Sequence, residues 1–189
     1  MAQKRKDWNG LISGFKASDL VFLDESGCNT DMTRRYAYSL GGSRVVDSAP
    51  LSKPKNTTIL SSIQLDGTLR YTTFSGGTTV ERFKRYLETD LLPHLNGNSV
   101  LIMDDMKSHH AKAVRNLLDN SGVRYIYLPP YSPDLNPIEK LWSKVKSFLR
   151  KFKARTLDAL PNAIQCAFQI VSPSDCSGWF HSCGYSPYF

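Results

Sequence analysis

The chain has 189 residues, 41% hydrophobic and 22% charged, the balance of one globular domain with a substantial core and too short for two. No apolar run approaches the roughly 20 residues that span a bilayer, and the polar opening MAQKRKDWNG is no secretory signal, so a membrane protein is excluded and a cytoplasmic location expected. The formal charge of +7 favours a polyanionic partner, because neutralising phosphates releases counterions.

Residues 1–19 read as a basic N-terminal segment ahead of a single domain over 20–189. LVFLDESG (20 to 27) is a short apolar run ending in Asp24, which suits a buried strand emerging at a polar edge. The stretch TRRYAYSLGGSRVVDSAPLSKPKN, rich in Arg, Lys, Gly and Pro, reads as an exposed basic excursion. TTILSSIQL and TLRYTTF flank Asp66-Gly67, a hairpin signal of the tight two-residue kind. Residues 78 to 92 carry Val80, Phe83, Leu87 and Leu91 at helical spacing. SVLIMDD (99 to 105) repeats the first device, an apolar run ending in Asp104. A helix over about 110 to 119 and a strand VRYIYL (123 to 128) follow.

YLPPYSPDLNPIEKLW (127 to 142) then feeds a helix whose residues Ile138, Leu141, Trp142, Val145, Phe148, Leu149 and Phe152 form one apolar stripe. Asn136 is placed to cap it, Pro137 suits the first turn and Glu139 stands where a capping-box carboxylate belongs. Glu139 lies about 100° round from Ile138, on a side shared with Ser143, Lys146 and Arg150. A helix over about 156 to 171 leads to an aromatic tail, SPSDCSGWFHSCGYSPYF, expected to dock on the body. Strands and helices in this order imply an α/β fold, a mixed sheet covered by helices.

Cys28, Cys166, Cys176 and Cys183 contain no CxxC pair and read as reduced thiols. Cys176, His181 and Cys183 have a spacing unlike the usual zinc ligand pairs.

Asp24, Asp104 and Glu139 each have an ordinary reading, two as strand-end turn formers and one as a cap. Glu25 and Asp105 compete with their neighbours for any role. Together, however, the three fit a specific need. Two-magnesium cleavage or joining of phosphodiesters requires converging hard oxygen ligands with positions left open for water and substrate phosphate.

VFLDESG, VLIMDDMKSHH and YLPPYSPDLNPIEKLW, in that order, resemble the bacterial insertion-sequence branch of the mariner superfamily, the aspartate-aspartate-glutamate (DDE) transposases. The 34 residues between Asp104 and Glu139 (105 to 138) match the spacing of that branch, and the likeness runs over about 20 to 185. It implies a ribonuclease H-like five-stranded mixed sheet flanked by helices. It also implies catalytic metal ligands Asp24, Asp104 and Glu139, two Mg2+ ions for which Mn2+ can substitute, and insertion at TA dinucleotides. Asp105 stands where relatives commonly have asparagine. His109 matches a histidine often found after the second aspartate, its role open between a structural hydrogen bond and DNA contact.

Only about nineteen residues precede the first strand motif, too few for the helix-turn-helix modules of full-length members. The sequence therefore reads as a catalytic portion, partnered by DNA at transposon ends and target, by a separately encoded helix-turn-helix subunit, or by a second copy in a homodimer. Arg34, Arg35, Arg44, Lys146, Arg150, Lys151 and Lys153 are candidate phosphate contacts, with a solvated basic face as the other reading. A structure-specific or RNA-strand nuclease, or a catalytically silent DNA-binding subunit, are the alternatives that remain open from sequence.

Overall fold

The structure, a computed structural model, describes residues 2–34, 36–48, 50 and 54–185. Arg35 lies outside the described residues. Five strands, β1 (Leu20–Cys28), β2 (Thr57–Gln64), β3 (Leu69–Ser75), β4 (Val100–Met103) and β5 (Arg124–Tyr127), form one sheet in the order β3-β2-β1-β4-β5. β1 to β3 run antiparallel as a meander, while β4 and β5 run parallel to β1. The expected mixed sheet is present.

The pleat of β1 sorts the core into two layers, because successive side chains point to opposite faces. Leu20 and Phe22 pack with residues of α4 (Ile138–Phe152), α5 (Ala159–Gln169) and α6 (Pro173–Ser182). Val21 and Leu23 pack on the other side with Phe83 and Tyr86 of α2 (Val80–Tyr86) and Val114 and Leu118 of α3 (Lys112–Ser121). The stripe of α4 behaves as the periodicity predicts, with Ile138, Leu141, Trp142, Val145 and Leu149 buried. Phe152 departs from it. It is the last residue of the helix, 43% exposed, with its ring stacked on Phe148.

Four local expectations change. The hairpin does not use a two-residue turn. Gln64 N–H bonds Thr68 O at 3.1 Å, leaving a three-residue loop whose third member, Gly67, takes φ 92°. Asp66 stabilises that loop by accepting from Thr68 N–H at 2.8 Å. The last helix before the tail starts at Ala159 rather than 156. The tail itself is helical over Pro173–Ser182, opened by a capping box in which Ser172 and Asp175 satisfy each other's backbone N–H groups. The N-terminal segment is also helical, α1 (Ala2–Ile12), and is anchored by Trp8, whose indole N–H donates to Tyr185 Oη at 3.1 Å. Among the described residues no helix is long and apolar enough to cross a membrane.

The tail docks through Phe180, fully buried edge-on against Phe22 at 5.4 Å between ring centres. Phe180→Ala is expected to cost about 3–5 kcal/mol, the range for truncating a buried aromatic. Urea unfolding would measure it; a change below 1 kcal/mol (of order one residue's surface effect) would show that the tail is not part of the core.

Candidate active site

Parallel pairing of β1 with β4 sets the site. Leu23 lies opposite Met103 as their last paired residues, so Asp24 and Asp104 are the next residues on adjacent strands. Asp24 follows the pleat onto the α4 side, where Leu20 and Phe22 pack, and Asp104, just past the end of β4, lines the same cavity. Glu25 falls on the opposite face by the same alternation, which removes it as a rival to Asp24 at this position.

Asp24, Asp104, Asp105 and Glu139 line one cavity of about 400 Å³ together with Met106, Leu128, Asn136 and the proline loop 129–133. Among the described residues no lysine or arginine lines it. Asp24 is 8% exposed. Its Oδ1 accepts from Glu25 N–H at 2.7 Å and its Oδ2 from the Trp142 indole N–H at 3.1 Å. Burial pushes its carboxyl up to about 7; those two hydrogen bonds oppose the rise, and the nearby charges of Asp104 and Glu139 add to it. Trp142 is the functional residue that sequence reasoning left in the apolar stripe. The usable signals were a buried indole, which needs an acceptor, and its place three residues after Glu139.

Glu139 is exposed on the first turn of α4. The expected Asn136 side-chain cap does not form. Asn136 is buried, its Oδ1 has no partner among the described residues, and its backbone carbonyl accepts from Glu139 N–H at 3.1 Å instead. The capping-box role of Glu139 therefore lapses, and its carboxylate is left to the cavity. The loop ahead of it is stiff. Three prolines restrict φ, and Tyr131 holds φ 55°, a left-handed conformation that costs a side-chain-bearing residue of order 1 kcal/mol.

Among the described residues no three His, Cys, Asp or Glu side chains stand close enough to grip an ion as they are. The donor set nevertheless fits a divalent cation of the magnesium class: hard oxygens, one of them desolvated, with no lysine or arginine beside them in the lining among the described residues. Cys176 and Cys183 are buried free thiols, and among the described residues they form no group of three metal-ligating side chains with His181.

A family model described as DDE superfamily endonuclease matches residues 19–161. The chain belongs to that family. Over 97 residues it is 28% identical to the Transposable element Tc1 transposase of Caenorhabditis elegans, covering 49% of this chain and 36% of that protein. The chain in a pre-cleavage Mos1 transpososome superposes with a TM-score of 0.82 at 18% identity, over 100% of this chain and 63% of that one. The catalytic domain of Mos1 mariner transposase gives 0.73 at 17% identity, over 96% of this chain and 86% of that one. These likenesses show the shared ribonuclease H-like fold. The chain thus spans about a third of the Tc1 protein and less than two thirds of the first Mos1 chain.

The second aspartate motif folds as two parallel pairs. His109 Nδ1 lies 2.8 Å from Asp104 Oδ1 and 3.2 Å from Asp104 O, and its ring stacks on Phe83 at 4.2 Å. His110 Nε2 lies 2.5 Å from Asp105 Oδ1, its ring tilted against Tyr127. His109 is wholly buried, so the expectation of DNA contact fails for it. Burial disfavours its charged form, but the hydrogen bond and charge of Asp104 outweigh that and hold the imidazole above its ordinary value.

The basic candidates are scattered. Lys146 and Arg150 line a second cavity, of about 460 Å³, with Gly27, Cys28 and Asn29 at the end of β1. Lys151 lies exposed beside a different groove, with Lys140 and Lys144. Arg34 and Arg44 stand exposed in the excursion. Lys153 is engaged at 2.7 Å by both oxygens of Asp47, so its charge is partly neutralised within the protein.

Asp24 gives the metal-free protein a defined pH response. Below pH 3.8 its carboxyl is protonated both folded and unfolded; as pH rises to about 7 the unfolded chain ionises it freely while the folded chain resists, so stability falls across that window. His109 acts in the same direction, its stabilisation present below 6.5 and lost as pH rises through its raised folded value. Asp24→Asn is expected to flatten the decline and to be more stable than the parent at pH 8 without divalent ions. Unfolding in urea and chelator across pH 4 to 8 would test it, an unchanged slope counting against the desolvated carboxylate.

Proposed function

We propose that this chain is the catalytic domain of a DNA transposase, hydrolysing a strand at a transposon end and joining the freed 3′ hydroxyl to target DNA. The observation that supports the reading is that Asp24, Asp104 and Glu139 line one cavity, with no lysine or arginine in that lining among the described residues. Support comes from the kinship with the Tc1 transposase and from the Mos1 chain, which has been solved as a strand transfer complex and as paired end complexes with Mg and with Mn.

Asp24, Asp104 and Glu139 would hold two divalent ions, each from a different element: β1, the turn after β4, and α4. Bound there, such ions supply activation of the attacking water and stabilisation of the leaving oxygen. Asp24 contributes a fixed, desolvated carboxylate clamped by the Trp142 indole. Glu139 contributes an exposed carboxylate whose helix start is held by the proline loop. In the cleavage step the water oxygen attacks phosphorus and the bond to the 3′ oxygen breaks, leaving a 3′ hydroxyl and a 5′ phosphate. In the joining step that hydroxyl replaces water against a target phosphodiester.

Lys146 and Arg150, on the same side of α4 as Glu139, grip the phosphate backbone as the strand leaves the cavity. End recognition falls to a helix-turn-helix partner, and two copies of this chain pair the ends; a Mos1 transposase paired-end complex with a transposon end supports such pairing.

Glu139→Gln is expected to keep the fold, judged by circular dichroism, while Mg2+- or Mn2+-dependent nicking of end-sequence DNA drops to the level seen with chelator. Undiminished nicking would remove Glu139 from the reaction. Lys146→Ala with Arg150→Ala should lower the salt dependence of DNA binding by about two in log-log slope, about one per lost phosphate contact. Anisotropy titrations at several salt concentrations would read this out, and an unchanged slope would assign both residues to the solvated surface.

A further inference from the structure

His109 is the most confined polar group near the site, and the function proposed above gives it no task. Its side chain is 0% exposed, between the Phe83 ring on one side and Asp104 on the other. Nδ1 makes two contacts with the same residue, the carboxylate Oδ1 and the main-chain O of Asp104. That pattern fixes the carboxylate relative to its own backbone, which sterically defines one rotamer. Nε2 is buried and without a partner among the described residues. A second orphan stands nearby. Glu25 Oε2 is also buried and unpartnered, and Glu25 lies within electrostatic range of the imidazole, on the sheet face opposite Asp24. Phenylalanine would stack on Phe83 as well, so what the imidazole adds at this position is the Nδ1 contact with Asp104, made while Nε2 is left unpaired among the described residues.

The neighbouring pair provides the contrast. His110 and Asp105 meet with side chains 38% and 51% exposed, so that contact is screened by water and holds its carboxylate loosely. The two aspartates therefore differ in kind. One is anchored from inside the protein and one is not, although both line the cavity.

We infer that His109 is a positioning residue that locks the Asp104 carboxylate into the cavity and so selects Asp104, rather than Asp105, as the second metal ligand. This rests on the metal-dependent reading above and adds to it the residue that enforces the choice. A ligand's hydrogen-bonding partner typically changes metal affinity by about 10- to 100-fold.

The test uses Mn2+ alone, with free ion followed by electron paramagnetic resonance and folding by thermal melting. His109→Phe keeps the ring stack and deletes the donor; it is expected to weaken Mn2+ binding by about 10- to 100-fold while the protein stays folded. His109→Asn places an amide donor where Nδ1 stands and is expected to recover most of the affinity. His109→Gln, whose donor falls at the Nε2 position, is expected not to. That amide pair decides the matter even if the Phe variant fails to fold. His110→Phe is expected to bind Mn2+ close to the parent. Parent-like affinity in both His109→Phe and His109→Gln, or a larger loss in His110→Phe than in either, would overturn the inference and leave the metal-dependent reading standing. A parent protein that takes up no Mn2+ would bring down that reading and this inference together.

Discussion

Everything in this structure leans on one unfavourable placement: the Asp24 carboxylate, buried at the end of the central strand with only two neutral donors to solvate it. A carboxylate in that position resists ionising, and among the described residues no lysine or arginine lines its cavity to offset its charge. The surrounding parts can be understood as what makes the placement tolerable. The strand is held on both edges, by β2 and by β4, so it cannot shift to release the charge to water. Helix α4 brings the Trp142 indole from 118 residues away to hold one oxygen. Holding a carboxylate desolvated in this way costs folding stability, the stability–function exchange seen at many active sites.

Much of this was legible before the structure. Two apolar runs, each ending in aspartate, mark strands that stop at a polar edge, and the stripe from Ile138 to Leu149 marks a helix with one buried face. Those patterns survive because they report local periodicity. What periodicity cannot carry is pairing between distant segments. The Trp142 to Asp24 bond and the parallel register that sets Asp104 beside Asp24 both arise from topology. The Asn136 cap was read from local rules, and there the tertiary structure prevailed by burying the side chain in the wall of the cavity.

The two unrecognised helices failed for different reasons. α1 is mostly polar, and its docking depends on the single large residue Trp8, too sparse to register as a stripe. α6 contains Pro173, Gly178 and several serines, poor helix formers, and stands because Phe180 is buried and its first turn is capped. Its Ser172 and Asp175 pair was visible in the sequence as a start signal, overshadowed by the aromatic character of the tail.

Because Asp24 faces Ser61 across the ladder and its successor Glu25 faces Leu60, the identity of the residue inside the cavity is decided by strand alignment as much as by composition. Sliding β1 by one position would turn every side chain over, delivering glutamate to the cavity and aspartate to the Phe83 side. Inserting a single amino acid ahead of Leu20 leaves that alignment alone, whereas inserting one inside β1 rewires the chemistry without deleting an acid. Length conservation within this strand is thus a constraint separate from sequence, and libraries built on this scaffold would keep it fixed.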